Sequence, residues 1–139
     1  MMKKILGFIL LLTILFTSCS SNDDDSRMSN FEINPPDWIQ GTWMLEEENQ
    51  ASGYKFVNDD FCIISILRQT CHKELLSQSS SSGVLTSVNE EITENSYLIE
   101  MTLGGQIFTY EFIKISPNQI KWLNNPFGDL IEFIYIKVS

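Results

Sequence analysis

Beyond Asn30 the chain is written in short apolar segments with a two-residue period, the spacing of strands that bury one face. Tyr97, Ile99, Met101 and Leu103 fall on one side of such a segment, and Leu98, Glu100 and Thr102 on the other. One face is therefore a core. The same pattern predicts strands over 42–47, where Trp43 and Leu45 alternate with Thr42 and Met44, over 54–57, and over the β-branched apolar run 61–67. Asn49 to Gly53 has loop chemistry, and Asn58-Asp59-Asp60 is turn-like and predicts hairpin pairing. Further strands are predicted over 84–92, 97–103, 106–115, 119–123 and 129–138, with connections of hairpin length between them. Gly104-Gly105 is the most specific of these, a two-residue loop of the kind tight hairpins use.

The result is an all-β domain of about eight antiparallel strands, a meander closed into a barrel or strongly curved sheet, with a β-sandwich of the same strands as the alternative. The stretch 68–83 reads as a long connection that either crosses between sheets or plugs one barrel end. Lys73-Glu74-Leu75-Leu76 allows one or two helical turns, and the serines from Ser77 onward are expected to stop them.

The first 30 residues have a different character. Lys3 and Lys4 precede an uncharged apolar run from Ile5 to Phe16, and the small residues Thr17 and Ser18 precede Cys19. This is the form of a cleaved export signal over 1–18, and the run is too short for a spanning helix of roughly 20 apolar residues. Phe16-Thr17-Ser18-Cys19 resembles the lipobox of bacterial lipoproteins, with Phe16 where leucine is usual and Leu15 beside it. The resemblance implies a lipid on the Cys19 sulfur, palmitate-type acylation, and cleavage in front of Cys19. Residues 19–30 then form an acidic flexible tether, too polar to order itself. Asp23-Asp24-Asp25 is similar to the acidic export signal that sends some lipoproteins to the outer face of the outer membrane, and reads equally as a solvated spacer. The implied location is the outer membrane, lipid-anchored, with the periplasmic and cell-surface sides both open.

Charge removes one class of partner. The chain carries 18 acidic residues against 9 basic ones, a formal −9, and loss of Lys3 and Lys4 with the signal makes it more negative. Phosphate backbones need clustered cations, whereas Lys55, Arg68, Lys73, Lys114, Lys121 and Lys137 are scattered among acids, so nucleic acid is not an expected partner. Residues 31–139 are long enough for one self-sufficient core. With Cys19 carrying lipid, Cys62 and Cys71 remain as a pair in an oxidising compartment, either a disulfide or two buried thiols.

Gly41-Thr42-Trp43, with Trp38 just before it and strands following, resembles the opening of lipocalins and of small lipocalin-like bacterial lipoproteins. The resemblance implies that Gly41 and Trp43 open the first strand and that Trp43 packs across a closed barrel base. Lys137 stands where that family usually places an arginine over the tryptophan. The domain is also shorter than a typical lipocalin, which implies a small cavity.

Candidate chemistry is sparse. His72, the single histidine, adjoins Cys71 in the serine-rich connection and reads as a solvated loop residue rather than half of a dyad. No metal-ligand set or cofactor motif is present. Glu46-Glu47-Glu48, Asp59-Asp60 and Glu90-Glu91 place neighbouring carboxylates on opposite strand faces and read as solvated strand ends. The expectation is a non-catalytic protein with no cofactor. Either the inward aromatics Tyr97, Phe108, Tyr110, Phe112, Trp122, Phe133 and Tyr135 line a pocket for a small apolar ligand, or they fill the interior and the surface serves a protein partner.

Overall fold

In the computed structural model, residues 31–46 and 51–138 are described. The signal, Cys19 and the tether lie outside them. Nine antiparallel strands, rather than about eight, form a single sheet curled into a half-barrel: β1 (Gly41–Leu45), β2 (Gly53–Val57), β3 (Asp60–Ser65), β4 (Arg68–Cys71), β5 (Thr86–Ile92), β6 (Ser96–Leu103), β7 (Gln106–Ser116), β8 (Gln119–Trp122) and β9 (Phe133–Val138). One helix, α1 (His72–Ser81), joins β4 to β5. All nine strands belong to one sheet, so the sandwich does not form.

Strand order is β4-β3-β2-β1-β9-β8-β7-β6-β5. Each strand pairs with its sequence neighbour except at two places. β1 pairs with β9, bringing the two ends of the domain together in mid-sheet, with Trp43 opposite Lys137. β4 and β5 are the free edges, and α1 packs against β3 and β5 across the gap between the two halves.

Two parts of the predicted 68–83 connection are regular structure. β4 is missed by hydrophobic periodicity because Arg68-Gln69-Thr70-Cys71 contains no large apolar residue. It is strand because it pairs with β3 after the two-residue turn Ile66-Leu67, Ser65 facing Arg68 and Cys62 facing Cys71. The helix continues through the serines because tertiary packing, not propensity, holds it. Leu76 is buried, the Asp60 carboxylate accepts the Lys73 N–H at 2.9 Å, and Ser81 Oγ bonds back to the Ser77 carbonyl. Lys73 and Asp59 form an exposed ion pair beside that start.

Cys62 and Cys71 are joined by a disulfide between directly opposed strand positions, Cα–Cα 4.0 Å. In the chain-entropy account a loop of this length is worth about 2–3 kcal/mol. It pins β4, an edge strand without an apolar anchor, to the sheet.

The concave face is filled at one end. Tyr54 lies edge-on to Phe112 and Tyr135, with ring centroids 4.9 and 5.0 Å away, and Phe56 stacks on Phe61 at 5.1 Å. Ile33, Pro35 and Ile39 from the incoming segment close this end. Trp43 is fully buried here, its Nε1–H donating to the Ile39 carbonyl at 2.6 Å, and the Lys137 ammonium sits 5.2 Å from the ring centroid. Gly41 has φ +128°, and a Cβ there would lie 2.7 Å from Lys137 Cε. The positive φ favours glycine, and its lack of a side chain lets the lysine stem cross it to reach the indole, so the Gly41-Thr42-Trp43 motif and Lys137 form one unit.

Glu90 is not a solvated strand end. It is half-buried at the closed end, its two oxygens accepting the Asn34 N–H at 2.9 and 3.1 Å and one accepting the Tyr97 hydroxyl at 2.5 Å. Burial, with that carboxylate alongside, holds the Tyr97 phenol far above its ordinary range. Glu90 thereby ties the incoming segment to β6.

Candidate functional site

The end of the half-barrel opposite Trp43 is hollow. A cavity of about 400 Å³ lies between the β3–β4 hairpin, α1 and the facing strands β6 and β7. Its position follows from the register. Cys62 and Cys71 point to the convex side as a bridged pair, so alternation turns Ile63, Thr70 and His72 inward. α1 contributes Leu75 and Leu76, and the far wall is Met101, Leu103, Phe108 and Tyr110. One wall is thus apolar, while Ser65, Arg68, Thr70 and His72 form a polar strip on the other.

His72 is buried rather than solvated. Its ring stacks on Phe61 with centroids 4.5 Å apart and planes 7° from parallel, and Nδ1 lies 2.7 Å from the Phe61 carbonyl. That oxygen accepts only, so Nδ1 carries the proton and Nε2 is the acceptor of the neutral ring. Burial lowers its pKa, and the Phe61 carbonyl and Asp60 oppose this in part. Recognising the Cys62–Cys71 pair as cross-strand neighbours would have found His72, since the next residue along must face inward.

A folded-state pKa below the unfolded value of about 6.5 means that the unfolded chain takes up this proton first. The contribution of neutral His72 to stability is fully present above that pH and is lost as pH falls toward the folded value. The expected result is a melting temperature that drops more steeply below pH 6.5 in the wild type than in His72→Gln. Parallel pH–Tm curves for the two proteins would refute the assignment.

Phe108 and Tyr110 line the cavity. Trp122 is half-buried and stacks on Tyr110 from outside the lining, 6.0 Å between centroids, and Phe133 lies against Trp122. Tyr97, Phe112 and Tyr135 are buried in the solid core beneath. The seven aromatics therefore share the concave side but divide between floor and wall. Sequence reading did not single out Arg68, Thr70, Leu76, Met101 or Leu103 as cavity residues.

Asp60, Cys62 and Cys71 bring ligand-type atoms within 4.8 Å of one another. The two sulfurs are bonded to each other and the carboxylate caps α1, so these groups are already committed.

A half-barrel of one curled sheet, solid at one end and hollow at the other, is the class this fold and site define. No family model, curated protein or solved structure matches the chain.

Proposed function

We propose that the protein is a lipocalin-like lipoprotein that binds a small apolar ligand without chemical conversion, held on the outer membrane by a lipid on Cys19. The observation that carries this reading is the 400 Å³ cavity with a largely apolar lining above a packed aromatic floor. Its volume falls in the lower part of the range of small-molecule sites, roughly 300–1,000 Å³. Thr70 lines the cavity from the edge strand β4, so Thr70→Trp obstructs the space with little strain on the core. The exported protein is expected to raise the fluorescence of N-phenyl-1-naphthylamine with saturation at one site, and Thr70→Trp to abolish the rise. Equal enhancement by both proteins would remove the cavity as the binding site.

The anchor has its own test, since Cys19 lies outside the described residues. Cys19→Ala is expected to incorporate no labelled palmitate, and incorporation equal to wild type would reject the lipobox reading. One observation favours a second role as a protein-interaction module. Large apolar side chains cluster on the loops of the hollow end, Ile66 and Leu67 being 80% and 93% exposed and Leu130 92%. Such a rim suits a protein contact, and the probe experiment separates the two roles.

A further inference from the structure

We infer that the cavity selects an apolar monocarboxylate, with its carboxylate at Arg68 in the mouth and its hydrocarbon against the β6–β7 wall. This rests on the cavity being a ligand site, and adds the chemical class of the ligand.

The inference begins with the position of Arg68. Ser65 faces Arg68 and Ile63 faces Thr70 across the β3–β4 hairpin, and all four residues line the cavity. Arg68 is therefore on the concave face of the sheet, a side otherwise occupied by aromatic and aliphatic groups. The side chain is solvent-exposed at the rim of the cavity, so water solvates its charge until a ligand displaces that water.

Nothing among the described residues answers that charge. No carboxylate of those residues lies within ion-pairing distance of the Arg68 guanidinium, although acids outnumber bases two to one in the chain. Lys73 pairs with Asp59, Lys121 with Glu132, and Lys137 sits over Trp43, while Lys55 and Lys114, like Arg68, have no ion pair among the described residues but do not line the cavity. The cavity lining contains no Asp or Glu, and burial keeps His72 neutral. Its formal charge is thus a single positive one, inside a protein whose net charge is strongly negative. Charges farther than about 8 Å are largely screened at physiological ionic strength, and the guanidinium, the one formal charge in the lining itself, biases the mouth toward an anion.

The shape of the site narrows the class. Arg68 lies next to the exposed Ile66-Leu67 tip, at the mouth, whereas Leu76, Met101 and Tyr110 lie on buried or half-buried elements further in. A ligand matching this polarity has its anion at one end. A planar carboxylate accepts two parallel hydrogen bonds from a guanidinium, and the Thr70 hydroxyl on the same face supplies a further donor. The small volume suits one short chain or one fused ring system rather than a two-chain lipid.

The test uses the exported, lipidated protein held in lipid nanodiscs, with empty nanodiscs as the blank. Decanoate, methyl decanoate and decyltrimethylammonium are titrated by calorimetry. Wild type is expected to bind decanoate at least tenfold more tightly than the ester, and the cation not at all. Arg68→Gln is expected to bring decanoate down to the affinity of the ester while leaving the ester unchanged, and Arg68→Glu to favour the cation. If ester and acid bind wild type equally, and Arg68→Gln changes neither, the carboxylate inference is overturned and the apolar site stands. If none of the three binds above the blank, the ligand-binding reading itself falls. Because Arg68 is exposed and outside the packed core, unchanged melting of the two variants is the expected control.

Discussion

Trp43→Ala is expected to lower the unfolding free energy of the 31–139 domain by about 3–5 kcal/mol, the usual cost of emptying a large buried aromatic site. Total stabilities of such domains are roughly 5–15 kcal/mol, so a substantial part of the population should unfold. Three losses coincide. The indole is fully buried in the closed end, its N–H satisfies the Ile39 carbonyl, and its face carries the Lys137 ammonium. Trp38→Ala should cost less, since Trp38 is half-buried and its Nε1–H reaches the Thr93 carbonyl in an exposed position at 3.1 Å. Denaturant unfolding of the two variants compares them directly. An unchanged midpoint for Trp43→Ala would mean that the indole is not the anchor of the closed end.

Gly53→Ala is expected to be of similar severity, near 3 kcal/mol, at the upper end of typical overpacking costs of about 1–3 kcal/mol. In an open strand the same change stabilises by about 0.4–1 kcal/mol, because alanine restricts the unfolded chain. Here the sign reverses. Gly53 faces Met44 in the β1–β2 pair, and a Cβ would fall 2.0 Å from the Trp43 carbonyl oxygen and 3.0 Å from Met44 Cα. Those are backbone atoms, so β1 itself would have to move, taking Trp43 with it. Gly105→Ala is the control, as nothing lies within 4 Å of a Cβ at that position. Thermal unfolding should rank Gly53→Ala far below both Gly105→Ala and wild type, and equal melting of the two variants would show that β1 and β2 are not so closely apposed.

The two glycines show why local reading succeeds in one place and fails in another. Gly104-Gly105 is a turn because of what two adjacent residues can do, and Leu103 faces Gln106 across it as predicted. Gly53 belongs to a segment with loop chemistry, and its role depends on a strand that passes beside it. Only the fold supplies that neighbour.

The same division holds for the strands and the site. Alternation marked β6 and β7 within a residue at each end: in β6 the buried positions are apolar and recur every second residue, and in β7 the aromatics Phe108, Tyr110 and Phe112 share one face although only Phe112 is fully buried. It could not mark β4, whose inward positions Arg68 and Thr70 face a hollow instead of a core, nor α1, whose serines are held by Leu76 and Asp60. A cavity leaves no periodic trace, since the residues around an empty space need not be apolar.

By itself, then, the sequence determined the all-β class, the hairpins other than β3–β4 and the Gly41-Thr42-Trp43 opening of the first strand, all of which rest on the properties of residues close together in the chain, while it left Cys62 and Cys71 open between a disulfide and two buried thiols. The tertiary structure decided the rest. Pairing of β1 with β9 set Lys137 over Trp43, and the helix bridging β4 and β5 left the space between Arg68 and Tyr110. Those arrangements depend on how far apart two curved halves of a sheet come to rest, which is fixed by packing among residues distant in the chain.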